Sequence, residues 1–490
     1  MIRLHTLLLV LLLLIPASAQ AMEINDAGAA KLQSLFTQLL DKQKAETTAR
    51  GGTLETGGDI TVEQTDNYYA VTLPELTFKA ANQTSLQIGL IAINATPTDN
   101  PDDWKMSVAL PTSINFMDKE GKLSTQINIG QQKMGGYWSG TLNNFSKLSA
   151  SYNNIKITEQ KNQLVTNLGQ IDIVSDLKED NGKWSGPTQF KISNLTMGDA
   201  SNKSKFTMEG MNMDVAMVGY DPSVQNDILA KIQANPEADH SNNILDLLKS
   251  SGEKVDIKMQ MNGINANMLN KKSGKAQNFM LNSATFGLGF ELQDDGNFSN
   301  KINFGYSSLK NQSEGAELTP TDMNFNIALN NLPLAAIIGN VSKVMPDIEN
   351  AGAQRVAALQ MMMTLPKMLA EAGTTINMAN TKLNNSFYST TIDADFKANP
   401  NSMIGVTGTL NAKITGMDAI FKNLEESKIT ATPEELVKIN STIKRLQALR
   451  LLSDQEGDVN SYQITLTEDC LLYTSPSPRD NIANLVFRLV

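Results

Sequence analysis

The sequence predicts an α+β, β-rich fold in which curved antiparallel sheets, arranged as a meander, a groove or a sandwich, carry amphipathic helical inserts. From about residue 58 onward, apolar and polar residues alternate with a period of two, which is typical of strands with one buried face and one wet face. Clusters of turn-forming residues, such as residues 98–102, separate these stretches. Apolar residues recur at helical spacing at 27–48, 333–372 and 417–452, which indicates helices.

The N-terminal residues 1–21 have the pattern of a secretory signal peptide. Arg3 precedes an apolar run from Leu7 to Ile15, and small residues follow it up to Ala21. The run is shorter than the roughly 20 residues that a membrane-spanning helix needs. We therefore expect cleavage after Ala21 and export of a protein that begins at Met22. A retained signal anchor is the alternative.

Residues 22–221 are predicted to form an antiparallel β domain with one N-terminal helix at 27–48. The strands that follow the helix are predicted to be short and rich in Asn and Thr. The first of them are expected at Tyr69 to Phe78, Ser85 to Ile93, Lys105 to Leu110 and Gln126 to Ile129. The clearest alternations run from Met211 to Met217 and from Val255 to Met261, and they predict strands with a single buried face.

Residues 222–251 are predicted to be a helical connector and the domain boundary. A second β domain is expected at 252–469, with helical inserts at 333–372 and 417–452. Its strands are expected at 253–269, 279–292, 298–310, 322–329, 385–396, 404–414 and 461–467. Thr432 and Glu435, three residues apart at the start of the last helix, have the pattern of a capping box.

Residues 470–490 differ abruptly in composition from the Asn-rich chain before them. The string from Cys470 to Asp480 matches the translation of a transposase adapter used in sequencing libraries. The run from Asn484 to Val490 matches the translated flow-cell end of the same adapter, with two single-base differences. We interpret the segment as an artefact that replaces the native C-terminus and expect it to have no place in the fold. A natural tail containing Ser and Pro is the alternative.

The composition argues against several classes of function. The 490 residues include 51 acidic and 41 basic ones, a formal net charge of -10 without a basic block, so no nucleic-acid partner is expected. Without residues 1–21 and 470–490 the chain retains one His, His240, and no Cys. We therefore expect no disulfide framework, no transition-metal site and no cofactor. His240 lies in a polar segment between helices, which favours a solvated residue over a catalytic base.

The helical insert at 333–372 contains an unusually Met-rich apolar surface. Met side chains adapt to irregular partners. The insert is therefore either ordinary core on one face of a sheet or a pliable lid over a groove for acyl chains. No catalytic, cofactor-binding or metal-binding residue is assigned. The residues predicted to form the apolar groove or lid are Ile337, Ile338, Met361, Met362, Met363, Leu365, Met368 and Leu369.

The order of elements in the second half of the chain resembles a known family. A strand, the tripeptide Asn331-Leu332-Pro333, Met-rich helices, two further strands and the segment from Gly405 to Phe421 resemble the YdgA-like family of uncharacterised Gram-negative envelope proteins. A looser similarity extends to the AsmA-like and TamB-like proteins. The resemblance covers roughly residues 250–469. It implies a periplasmic, non-enzymatic, β-rich protein connected with envelope maintenance, and it implies no catalytic residues.

Two functions of different classes remain open. The first is a periplasmic, non-enzymatic envelope protein that binds lipid or an envelope protein in a curved β groove, with membrane association that is peripheral at most. The alternative is an exported hydrolase that acts on an envelope polymer through carboxylates or a Ser/Lys pair. The sparse catalytic chemistry and the alternating strands favour the first.

Overall fold

The computed structural model describes residues 24–199, 204–235, 241–269, 276–293, 296–311, 318–344, 364–402, 404–429, 431–468 and 471–473. The structure is β-rich with a large antiparallel sheet that is not closed, which confirms the predicted class at that level. The helices are α1 Asp26–Ala49, α2 Pro222–Ala234, α3 Ser241–Ser250, α4 Leu334–Val344, α5 at 364–371, α6 Met417–Ser427 and α7 Pro433–Leu451.

The strands pair with antiparallel neighbours throughout the described pairings. Those of the first half are β1 Thr53–Thr56, β2 Thr61–Gln64, β3 Tyr69–Leu73, β4 Leu76–Lys79, β5 Ser85–Ile88, β6 Ile91–Pro97, β7 Asp103–Ala109, β8 Ser113–Met117, β9 Leu123–Ser139, β10 Asn144–Glu159, β11 Leu164–Asp176, β12 Lys178–Asp180, β13 Lys183–Asp199 and β14 Lys205–Tyr220. Those of the second half are β15 Lys254–Leu269, β16 Ala276–Leu292, β17 Phe298–Ser307, β18 Lys310–Asn311, β19 Asp322–Leu332, β20 Thr375–Asn384, β21 Ser389–Ala398, β22 Val406–Thr415, β23 Asp454–Glu456, β24 Val459–Leu466 and β25 Leu471–Tyr473.

The chain divides into two compact units. Unit 1 contains the residues up to Ala234 together with Ser250–Phe279. Unit 2 contains Asn235–Lys249 and the residues from Met280 onward. The sequence places the boundary in a connector at 222–251, whereas the contacts assign α2 to unit 1 and nearly all of α3 to unit 2.

In unit 1 the sheet forks along β9. The first half of this strand, from Leu123 to Asn128, pairs with β8, and the second half, from Met134 to Ser139, pairs with β7. One arm then runs β8–β5–β4–β1 and the other runs β7–β6–β3–β2. On its other side β9 pairs with β10, and the sheet continues through β11, β13, β14 and β15.

Gln132 lies in β9 at the point where one arm gives way to the other. Its side-chain Oε1 accepts a hydrogen bond from Leu110 N at 2.9 Å, and its Nε2 donates to Leu110 O at 2.5 Å. The side-chain amide thus satisfies backbone groups of the β7–β8 connection that no strand pairing covers. The two arms separate at this residue.

In the long strands β9, β10 and β11 of unit 1, every second side chain faces the core, and this alternation is displaced by one residue partway along each strand. In β10, Ala150 and Tyr152 pack against the core and so do Ile155 and Ile157, although the two pairs differ in parity. Asn154 between them has a left-handed backbone, with φ of 54°. Gly130 of β9 faces Asn154, since a Cβ at Gly130 would lie 2.9 Å from the Asn154 Cβ. The shift keeps the apolar residues on one face over the whole strand.

Unit 2 has its own antiparallel sheet in the order β17–β19–β20–β21–β22–β24, with β16 beside β17. Helices α6 and α7 pack together through Ile420, Leu424 and Ile443, all of which are buried. Arg450 of α7 bonds to the Asp418 carboxylate of α6 at 2.5 Å. This pair of helices has a small apolar core of its own.

Several local predictions are confirmed. α1 spans 26–49 against the predicted 27–48. The capping box is formed at α7, where the Thr432 hydroxyl accepts from Glu435 N at 3.4 Å and Glu435 Oε2 accepts from Thr432 N at 2.8 Å. The bond from Thr432 N and a second one from the Thr432 hydroxyl, at 2.9 Å, stabilise the ionised carboxylate and hold the pKa of Glu435 below its usual value.

Other local predictions are wrong. The strand predicted from Tyr69 to Phe78 is divided at Pro74, which has no N–H for a ladder, and its two parts belong to different arms. The strand predicted from Ser85 to Ile93 is likewise divided, at Gly89 and Leu90. The sequence prediction also omits β20, because Asn380, with φ of 52°, interrupts its alternation.

Three residues of the segment interpreted as adapter-derived take part in strand pairing, and the origin of the segment stays a prediction. Leu471–Tyr473, part of the segment expected to have no place in the fold, pair as β25 with residues 464–466 of β24. β24 also pairs with β22 over its whole length. The remaining residues from 474 to 490 lie outside the described residues.

Candidate apolar binding site

Helix α1 lies between the two arms of unit 1, because it contacts β1 and β2, the outermost strand of each. It begins after Asn25, whose side-chain oxygen accepts a hydrogen bond from Gly28 N at 3.0 Å. Leu32 and Phe36 follow at helical spacing and are buried in the core of the unit. The helix thus covers the apolar space that the fork opens.

Polar bonds hold the first half of α1 to the strands. Asn25 N donates to the Tyr69 hydroxyl at 2.8 Å, and that hydroxyl donates to Asn25 O at 3.2 Å. Lys31 Nζ donates to Asp102 Oδ1 at 2.9 Å and to Pro101 O at 2.7 Å. These contacts fix the helix at the end where Tyr69 lies edge-on to Trp104, with ring centroids 5.9 Å apart.

Below the second half of α1 the packing leaves an apolar cavity of about 110 Å³. Fifteen of its sixteen lining residues are apolar, none is charged, and Gln43 is the one polar exception. The lining residues are Phe36, Leu39, Leu40, Gln43, Leu73, Leu76, Phe78, Ile88, Ile91, Ile93, Met106, Val108, Leu110, Ile114, Trp138 and Phe145.

The cavity extends along the helix. Phe36 and Gln43 are seven residues apart, which is roughly 10 Å along a helix axis. Trp138 lies toward the N-terminal end of α1, because it pairs with Trp104, which contacts Tyr69. Gln43 lies in the C-terminal half of α1, away from that end.

Trp138 differs from the other lining residues in having an unsatisfied donor. Its side chain is 3% exposed, and its ring meets Phe145 edge to face at a centroid distance of 5.5 Å. Its indole Nε1 is buried and has no hydrogen-bond partner among the described residues. Most buried donors in proteins make a hydrogen bond, so an unbonded N–H at this position is unusual.

The sequence-predicted site lies elsewhere, in unit 2. Ile337 and Ile338 are half-buried on α4, and Leu365, Met368 and Leu369 are half-buried on α5. The two helices meet where Asn340 Nδ2 lies 3.0 Å from Met368 Sδ. Met361, Met362 and Met363 lie outside the described residues, so the Met-rich lid stays a prediction.

The sequence predicts that the cavity-lining residues are buried, but it does not predict a cavity. Ile91 and Ile93, like Met106 and Val108, are buried on either side of an exposed residue and indicate strands, and the apolar stripe of α1 indicates a packed helix. No feature of the sequence indicates that these elements leave a space between them. Nothing in the sequence around Trp138 indicates that its N–H lacks a partner.

The described part of the chain contains no group of three or more His, Cys, Asp or Glu residues that could hold a metal ion. His240 is outside the described residues. No helix within the described ranges combines the length and apolar character needed to cross a membrane.

Comparison of the chain with protein-family models, curated proteins and solved structures finds no match.

Proposed function

We propose that this chain is a periplasmic, non-enzymatic envelope protein whose N-terminal unit binds the apolar part of a lipid in the cavity under α1. The apolar lining of that cavity is the observation that carries the proposal. A ligand chain placed there gains on the order of 25 cal/mol per Å² of apolar surface removed from water. The hydrolase alternative gains no comparable support, since the cavity contains no ionisable group.

The size of the cavity supports a part of a lipid as the ligand. An apolar cavity of about 150 Å³ in another protein stays dry and binds benzene. A space of about 110 Å³ therefore suits a short aliphatic segment, and the remainder of a longer ligand must extend out of the cavity. The rest of the lipid would leave the cavity beside α1.

We propose that the apolar face of the long strands forms a curved groove, and that the part of the lipid's aliphatic chain outside the cavity lies in this groove. Leu148, Tyr152, Ile171 and Ile173 are half-buried and continue the apolar surface of the core across β10 and β11. Half-buried apolar side chains in a row allow contact with an aliphatic chain along the strands. The Met-rich helices of unit 2 are a separate prediction, and the cavity does not depend on them.

Native mass spectrometry of the protein purified from membranes tests the proposal. We expect the parent to retain bound lipid. Val108→Phe, at a cavity-lining side chain that is 7% exposed, should reduce the bound fraction because the larger ring fills the space. Val174→Phe makes the same change on β11 at a side chain that is 46% exposed, outside the cavity lining, and should retain lipid. Absence of lipid from the parent, or equal retention by both folded variants, would contradict the proposal.

A further inference from the structure

The buried indole N–H of Trp138 specifies more about the ligand than the apolar lining does. We propose that the cavity takes an aliphatic ester whose carbonyl oxygen accepts a hydrogen bond from Trp138 Nε1. This inference rests on the proposed function and adds the chemical class of the ligand group that enters the cavity.

The donor in the cavity wall is the indole N–H of Trp138. An indole nitrogen donates and does not accept, so only an acceptor atom satisfies it. Trp138 Nε1 has no hydrogen-bond partner among the described residues. The side chain is 3% exposed, so bulk water does not reach it. Trp138 lines the cavity, so we take an acceptor atom of a ligand bound there as the partner of this N–H.

The lining of the cavity disfavours a charged acceptor. A carboxylate is costly to bury without a cation, and none of the sixteen lining residues is charged. Lys31, at the N-terminal half of α1, is already bonded to Asp102 and to Pro101 O. The acceptor is therefore uncharged, and we take it to be a carbonyl oxygen.

Neutral carbonyl groups differ in whether they bring hydrogen-bond donors of their own. A primary or secondary amide brings N–H donors that need acceptors of their own, and Gln43 is the only lining residue with a polar side chain. Gln43 lies about 10 Å from Phe36 along the helix, at the opposite end from Trp138. An ester has acceptors only, so it pairs with the single donor and leaves no group unsatisfied.

Three small probes of similar length test the inference. Methyl hexanoate supplies an ester carbonyl, octane supplies a chain without an acceptor, and hexanoate supplies an ionised acceptor. Each is titrated into the intact protein while the three indole N–H signals are followed by NMR, with Trp138 identified from the spectrum of Trp138→Phe. Methyl hexanoate should move the Trp138 indole proton downfield and octane should not. Hexanoate should bind more weakly than the ester at neutral pH.

Two variants separate the hydrogen bond from packing. In Trp138→Phe the affinity for methyl hexanoate should fall about 3- to 10-fold relative to the affinity for octane, which corresponds to one ordinary hydrogen bond. A folding defect would lower the affinities for methyl hexanoate and for octane together, so the measured quantity is the ratio of these two affinities. Replacement of Trp138 by 3-benzothienylalanine keeps the ring size and removes the N–H, and it should change the ratio equally. Trp184→Phe, outside the cavity lining, is the matched control.

The outcomes are distinct for the two proposals. If neither methyl hexanoate nor octane binds the parent, the proposed function fails and this inference fails with it. If both bind with a ratio that Trp138 variants leave unchanged, or the Trp138 indole proton stays in place, the cavity binds aliphatic chains but the ester is not recognised. In that case the Phe145 ring, which meets Trp138 edge to face, is the partner of the N–H.

Discussion

Gly28 shows how closely α1 approaches the strands at a single residue. A Cβ at this position would overlap the hydroxyl of Tyr69, which has no exposed surface and bonds to Asn25 at the start of the helix. Gly→Ala within a helix normally stabilises it by about 1 kcal/mol. Here the overlap reverses the sign, because the Tyr69 ring cannot move without breaking its bonds to Asn25.

We predict that Gly28→Ala lowers the free energy of unfolding by about 1–3 kcal/mol, as overpacking does. Chemical denaturation followed by tryptophan fluorescence measures it. Tyr69→Phe removes the overlapping oxygen and frees the ring, whose Cζ would still lie 2.6 Å from the added Cβ, from its bonds to Asn25, so Gly28→Ala should cost less in that background than in the parent. An unchanged or raised stability of Gly28→Ala would show that α1 does not pack on Tyr69 as described.

At the scale of the elements, the core-facing positions of β9, β10 and β11 change from one parity to the other partway along each strand. In β10 this change occurs at Asn154. A left-handed backbone costs a residue with a Cβ roughly 1–2 kcal/mol, and Asn tolerates it better than other such residues. β-Branched residues tolerate it least. The parity of the apolar residues on either side of Asn154 therefore depends on that one backbone conformation.

We predict that Asn154→Val destabilises unit 1 by about 1–2 kcal/mol and that Asn154→Gly is tolerated. The midpoint of urea unfolding is the measurement. Asn153→Val, one residue earlier and with an extended backbone, is the matched control and should be nearly neutral, since Val suits a strand. Equal losses in Asn153→Val and Asn154→Val would argue that the left-handed conformation is not the cause.

At the scale of the whole molecule, the three Trp residues report on one unit. Trp104, Trp138 and Trp184 all belong to unit 1, so tryptophan fluorescence follows the unfolding of that unit. Circular dichroism follows the strands of both units. A ligand that binds only the native state stabilises it by an amount that grows with concentration, about 2.7 kcal/mol at 100 times Kd.

We predict that methyl hexanoate raises the unfolding temperature seen by tryptophan fluorescence and leaves a component of the circular dichroism transition unchanged. The unchanged component belongs to unit 2, which does not contain the cavity. Val108→Phe should abolish the shift and Val174→Phe should preserve it. A ligand-induced shift of the entire circular dichroism transition would show that the two units unfold together.

The amino-acid sequence by itself determined the local elements of this protein. Helix α1, the alternating strands β14 and β15 and the capping box of α7 depend on residues a few positions apart, so their patterns can be read along the chain. Strand prediction from alternation fails where one residue changes the backbone, as at Pro74 and Asn380. A loop also interrupts the alternation, so the sequence does not distinguish a loop from an irregular strand.

Only the tertiary structure decided where the candidate site lies. The cavity is the space left between α1 and two arms of a forked sheet, and its lining residues Phe36 and Phe145 are more than a hundred positions apart. An apolar residue has the same signature in the sequence whether it fills a core or borders a cavity, since both environments exclude water. Whether the Trp138 N–H is paired depends on atoms brought to it by other strands, so the fold alone settles it.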